Sequence, residues 1–260
     1  MRRRRHAVVF GPVQPAFDPV FFDPVTGWLG EQGYAVEILD SLAVVDDPMM
    51  TITDVADEWI RRRPDLAEVG LLCGNAFGGA VAQAMLPALP RDIAVLGLSA
   101  PTVADDRLAA RLGDVAHHAR MGNLAGALWT LDDFVRSEAM PAPARVATPV
   151  VADQNAACRR IELGMSLLTD LDVSAAVVAH TGPVLSIVGE RSRLVTRSHA
   201  RVPAHGATAV IPDAGMRPHR DNAAAVADVL AAQRAYLAGD ADHAAPQHLP
   251  THRIDTMGAA

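Results

Sequence analysis

One stretch constrains the fold of this chain more than any other. Val69-Gly70-Leu71-Leu72-Cys73 is a short apolar run, as expected of a strand buried on both faces, and Gly79 to Leu86 reads as a helix of small residues stopped by Pro87. Between them lies Gly74-Asn75-Ala76-Phe77-Gly78. The flanking glycines remove the β-carbons that would hold a strand and the helix after it apart. A buried strand that turns sharply into a helix belongs to parallel α/β architecture.

The rest of the chain keeps that rhythm. Strands are expected at 7–10, 34–39, 93–98, 183–189 and 208–211. A helix is expected from Pro24 to Gln32, with Trp28 and Leu29 on its apolar side and Gly33 as its stop, and another from Thr51 or Thr53 to Arg63. Further helices are expected near 197–202 and over 222–238. From Thr102 to Thr181 strands disappear. Helical patterns run near 105–120, 124–138, 154–169 and 171–179, with a proline-bearing break from Pro141 to Pro149. The expected architecture is therefore α/β, a mostly parallel sheet with helices on both faces. Residues 1–101 and 183–238 form its core, 102–182 an inserted helical lid, and 239–260 a mobile polar tail. Ligands of such sheets bind beyond the carboxyl ends of the strands. That edge comprises the loops 11–14, 75–77, 99–101, 189–194 and 213–219.

Composition narrows the partners. A net charge of −7 argues against nucleic acid. No lysine is present, so every strong cation is an arginine. Two cysteines, Cys73 and Cys158, make no disulfide framework. After the basic Met1 to His6 only Ala7 to Phe10 is apolar, too short for a signal-peptide core, and no run approaches 18 apolar residues. A cytoplasmic protein without a membrane segment is expected, as monomer or homodimer. Neither a metal nor a cofactor is expected. His117 and His118 point apart on a helix, and His243, His248 and His252 are spaced too loosely for a site.

Three segments in order carry a resemblance to the α/β-hydrolase superfamily. Cys73 to Ala84 looks like its nucleophile elbow, Gly-x-Ser-x-Gly, with Ala76 in place of serine. Pro183 to Glu190 looks like the strand before its acid, and Val210 to His219 like the loop bearing its histidine. The resemblance maps the catalytic triad onto Ala76, Ser192 and Met216, so nucleophile, acid and base are all lost. The alternative acid position, Ser99-Ala100-Pro101, holds no carboxylate either. His219 stands near as a packed structural residue or an alternative base. What the resemblance preserves is the oxyanion hole, made by the backbone amides of Val13 and Phe77, because Pro12 has no N–H.

A pocket that stabilises an oxyanion without a nucleophile suits enolate chemistry. In this the chain is similar to the triad-less epimerases of bottromycin biosynthesis, which act on an aspartate of a modified peptide. That resemblance implies peptide aspartate epimerisation, with the substrate's own carboxylate moving the α-proton. Gln14, Asn75, Ala76, Trp129, Ser192, Met216 and His219 are expected to border the substrate. Arg191, Arg193 and Arg217 lie on loops at the same edge, where a substrate carboxylate could pair with them. The alternatives are a lyase or cyclase of polyketide biosynthesis, and a binding protein for an apolar ligand.

Overall fold

The computed structural model describes residues 5–136 and 151–239. Six strands, β1 (His6–Phe10), β2 (Ala35–Leu39), β3 (Leu71–Asn75), β4 (Ala94–Leu98), β5 (Val184–Gly189) and β6 (Ala207–Ile211), form one sheet in the order β2-β1-β3-β4-β5-β6. Every neighbouring pair is parallel. β3, β4 and β5 are buried at every residue, which is why their sequence is continuously apolar rather than alternating.

Side chains still alternate between the two faces. Val8, Phe10 and Leu72 face one core, into which α2 (Ile52–Arg62) sends Val55 and Trp59, and α3 (Phe77–Ala84) sends Ala80 and Val81. Ala7, Val9, Leu71 and Cys73 face the other, closed by Val25 and Leu29 of α1 (Asp23–Glu31). Thr51 starts α2 with a reciprocal cap: its hydroxyl accepts the Asp54 N–H while the Asp54 carboxylate accepts the Thr51 N–H.

Between β4 and β5 run α4 (Asp106–Arg120), α5 (Leu124–Val135), α6 (Gln154–Ser166) and α7 (Ser174–Ala179). Leu112, Leu124, Ile161 and Val177 from these helices join the core on the α2/α3 side. Asp105, Asn123 and Asp153 cap the first three with side-chain oxygens.

Two expected helices differ. Residues 197–199 form a turn and 200–202 run on without helix, because the His199 ring accepts the Thr196 N–H at 3.0 Å and competes with helical pairing. The C-terminal helix follows the short α8 (Pro218–Asp221) and breaks at Gln233 into α9 (Ala223–Ala232) and α10 (Arg234–Leu237). The second piece sets the Tyr236 hydroxyl under β5, where it accepts the Val184 N–H at 2.8 Å and donates to the His205 carbonyl at 3.0 Å. The proline-bearing break at 141–149 and the tail beyond Gly239, with its three histidines, lie outside the described residues. Among the described residues no helix is long and apolar enough to cross a membrane.

Candidate functional site

β3 passes into α3 through Ala76, whose backbone is held at φ 47° and ψ −116°. A residue with a β-carbon in such a region costs about 1–3 kcal/mol and persists only where its surroundings fix it. Here the Leu98 carbonyl on the next strand fixes it. It accepts both the Ala76 N–H at 3.2 Å and the Asn75 side-chain amide at 2.7 Å. The flanking glycines are needed for space. A β-carbon on Gly74 would meet the backbone of Gly78 and Gly79, and one on Gly78 would meet the carbonyl oxygens of Phe10 and Gly11.

Above this turn is a cavity of about 420 Å³ at the carboxyl edge of the sheet. Its wall brings together Val13, Gln14, Asn75, Ala76, Phe77 and Met216. Leu108 and Leu112 of α4 and Leu128, Leu131, Asp132 and Val135 of α5 cover it, with Met165 of α6. The volume and the apolar walls are those of a small-molecule site.

Among the described residues no acceptor takes the N–H of Val13 or of Phe77. Phe77 opens α3, so its amide lies at the positive end of a helix. The Val13 loop is held on several sides. Gly11 N–H donates to Leu39, and Ser41 Oγ donates to the Gly11 carbonyl at 2.6 Å. Arg160 of α6 donates to the Gln14 carbonyl at 3.2 Å and pairs with Asp40 at 2.8 Å. Gly164 of α6 packs so closely that a β-carbon there would run into the Val13 side chain. The inserted helices therefore help to position one of the two amides.

Solved structures share the overall fold. A thermophilic esterase from Thermogutta terrifontis superposes with a TM-score of 0.64 at 15% identity, over 89% of this chain and 90% of that one. An esterase from Exiguobacterium antarcticum gives 0.67 at 14%, over 87% and 91%. MenH from S. aureus gives 0.61 at 13%, over 88% and 93%. This is an α/β-hydrolase fold. At these identities the likeness carries the fold and not the reaction. No family model matches the chain, and no curated protein matches it.

The three positions onto which the resemblance maps a triad are separated in the structure. Ala76 offers only a methyl group to the cavity. Met216 is buried and acts as a clip: its N–H donates to the Val135 carbonyl at 3.1 Å, and its sulfur accepts the Val195 N–H at 3.2 Å. Ser192 does not join them, contrary to expectation. It lies on a separate cleft among Arg111, Arg191, Arg193 and His199, with its hydroxyl buried and unpartnered. In that cleft Arg191 pairs with Asp213 and Arg193 with Asp133, so two of its arginines are already neutralised.

Two further expectations are corrected. His219 is wholly buried beneath the cavity wall, stacked on Phe22 and edge-on to Phe21, with Nε2 3.3 Å from the Phe21 carbonyl. Burial pushes its pKa down to about 4. It packs among aromatic rings and does not line this cavity. Trp129 is 46% exposed and faces away from the cavity. The reason is helical phase: Leu128, Leu131, Asp132 and Val135 recur at i, i+3, i+4 and i+7, and Trp129 lies one residue off that stripe.

Gln14 and Asn75 reach the wall but are partly committed elsewhere, since Gln14 Oε1 accepts the Asp18 N–H at 3.0 Å and Asn75 serves Leu98. Sequence reasoning missed Asp132 and Arg220, which line the cavity. The α5 stripe marks Asp132 as a carboxylate on an apolar helical face. Arg220 carries a similar signal, one helical turn after Arg217.

Proposed function

We propose that this protein is a non-hydrolytic enzyme of the α/β-hydrolase fold that exchanges a proton at a stereocentre next to a carbonyl. The observation that carries the reading is the pairing of two unoccupied backbone amides, Val13 and Phe77, with a methyl group at position 76, all on one apolar cavity. Hydrolysis through an acyl-enzyme needs a nucleophile and a base. Among the described residues the cavity wall supplies neither a serine nor a histidine. An enolate oxygen needs only donors aimed at developing charge in a dry site, and such donors are worth several kcal/mol each when preorganised.

The substrate class we favour is a modified peptide presenting an aspartyl residue, and the reaction its epimerisation. The side-chain carboxylate takes the α-proton, the C–H electron pair moves into the adjacent carbonyl, and the enolate oxygen rests on the two amides. Return of the proton to the other face gives the epimer, with no atom gained or lost. A cavity of about 420 Å³ suits one or two residues of such a peptide. The burial of His219 supports a proton carrier outside the chain.

Incubation with aspartyl peptides in ²H₂O tests this reading. One deuterium gained at the α-carbon, with no other mass change, supports it. Cleavage of the peptide, or tight binding without exchange, rules it out.

A further inference from the structure

Among the described residues the cavity wall carries four formal charges, those of Asp18, Asp132, Arg217 and Arg220. Three are occupied. The Asp132 carboxylate accepts from Arg136 at 2.7 Å, with both side chains largely buried. Asp18 sits at the exposed rim, and one of its oxygens accepts the Val20 N–H at 3.0 Å. Arg220 lays its guanidinium over the Phe21 ring, 5.6 Å from the centroid. Arg217 alone is half-buried on this wall with neither an ion pair nor a hydrogen bond from its guanidinium among the described residues.

We propose that Arg217 is the receptor for a carboxylate on the substrate, with Arg220 flanking it, so that the cavity selects apolar carbonyl compounds bearing one anionic group. The proposal rests on the reading above and names the group that the substrate must carry. A guanidinium drawn partly out of water retains five donors and favours a carboxylate over any neutral partner. Around it the lining is Leu128, Leu131, Val135 and Met165, which favours a ligand whose remaining bulk is apolar. Arg217 directly follows Met216, so the anionic group would bind beside the former base position, close to the two amides in the same cavity. Held end-on through one oxygen, an aspartyl carboxylate keeps its second oxygen free for the α-proton. Arg217 is on this account a positioning and specificity residue.

The test uses 4-phenylbutanoate and its uncharged counterpart 4-phenylbutanamide, measured by titration calorimetry at low ionic strength. Wild-type protein should bind the acid at least about tenfold more tightly than the amide, and the preference should shrink as salt rises. R217Q should bind both alike, R217K should retain part of the preference, and R220Q should weaken it less than R217Q does. Because Arg217 makes no internal ion pair, R217Q should melt within a few degrees of wild type, which separates lost recognition from lost fold. Equal affinity for acid and amide in the wild type overturns the proposal. So does an unchanged preference in R217Q, or failure of both probes to bind at millimolar concentration. Binding needs no turnover, so the two readings fail separately. A carboxylate preference without α-proton exchange leaves the receptor standing and removes the enolate chemistry. Exchange without the preference does the reverse.

Discussion

Arg136, the residue that ends α5, donates through Nε to the Asp132 carboxylate at 2.7 Å and so offsets the charge of the one acid that α5 presents to the cavity. An acid engaged in this way is a poor candidate for the proton carrier. Asp132→Asn should therefore leave the α-exchange rate within about tenfold of wild type, as measured by NMR in ²H₂O. A loss beyond about 100-fold in a folded variant would move the base from the substrate to Asp132, since general-base catalysis typically contributes that much or more.

Ala76→Ser introduces a hydroxyl at the strained turn, yet among the described residues the cavity wall holds no histidine to activate it. We expect no ester hydrolysis above background with short p-nitrophenyl esters, and no labelling by a fluorophosphonate. Robust turnover in A76S would reveal a base elsewhere in the cavity and contradict the non-hydrolytic reading.

Burial of His219 makes stability depend on pH. The unfolded histidine takes a proton near 6.5, while the folded one resists until about 4. The unfolded chain binds more protons between those values, so stability falls as pH drops through that window and levels off below it. The span corresponds to roughly 3 kcal/mol. His219→Phe, packed between Phe21 and Phe22, should flatten this part of the profile in urea melts run between pH 7.5 and pH 4. An identical slope in wild type and H219F would contradict the buried, neutral assignment.

Gly78 lies under the carbonyl oxygens of Phe10 and Gly11 with no room for a β-carbon. Backbone cannot step aside as a flexible side chain does. Gly78→Ala should cost about 3 kcal/mol or more in denaturant melts, whereas Gly113→Ala, which meets nothing within 4 Å, should be neutral or slightly stabilising.

The fold was legible because parallel strands buried on both faces spell themselves as apolar runs, and because Gly74 and Gly78 mark a place where backbones touch. The site was legible only in part. Val13 and Phe77 were reached through the superfamily resemblance, and both line the cavity. Side chains on the inserted helices depended on helical phase, where one residue separates Leu128, on the cavity, from Trp129, in solvent. Ser192 was misplaced for a different reason. Its position in the chain follows the fold, but the loop turns its hydroxyl toward an arginine-lined cleft that local sequence does not describe. The silence of His219 was also out of reach, since it depends on Phe21 and Phe22, almost 200 residues earlier.

In the proposed reaction the amides of Val13 and Phe77 hold the enolate oxygen, and the most direct measurement removes one of them. Val13→Pro deletes an N–H, while Val13→Ala shortens the side chain and keeps it. With an aspartyl peptide in ²H₂O, the account predicts α-proton exchange about 10²–10³ slower in V13P than in V13A, with peptide affinity within a few-fold. Equal exchange rates in the two folded variants would contradict it.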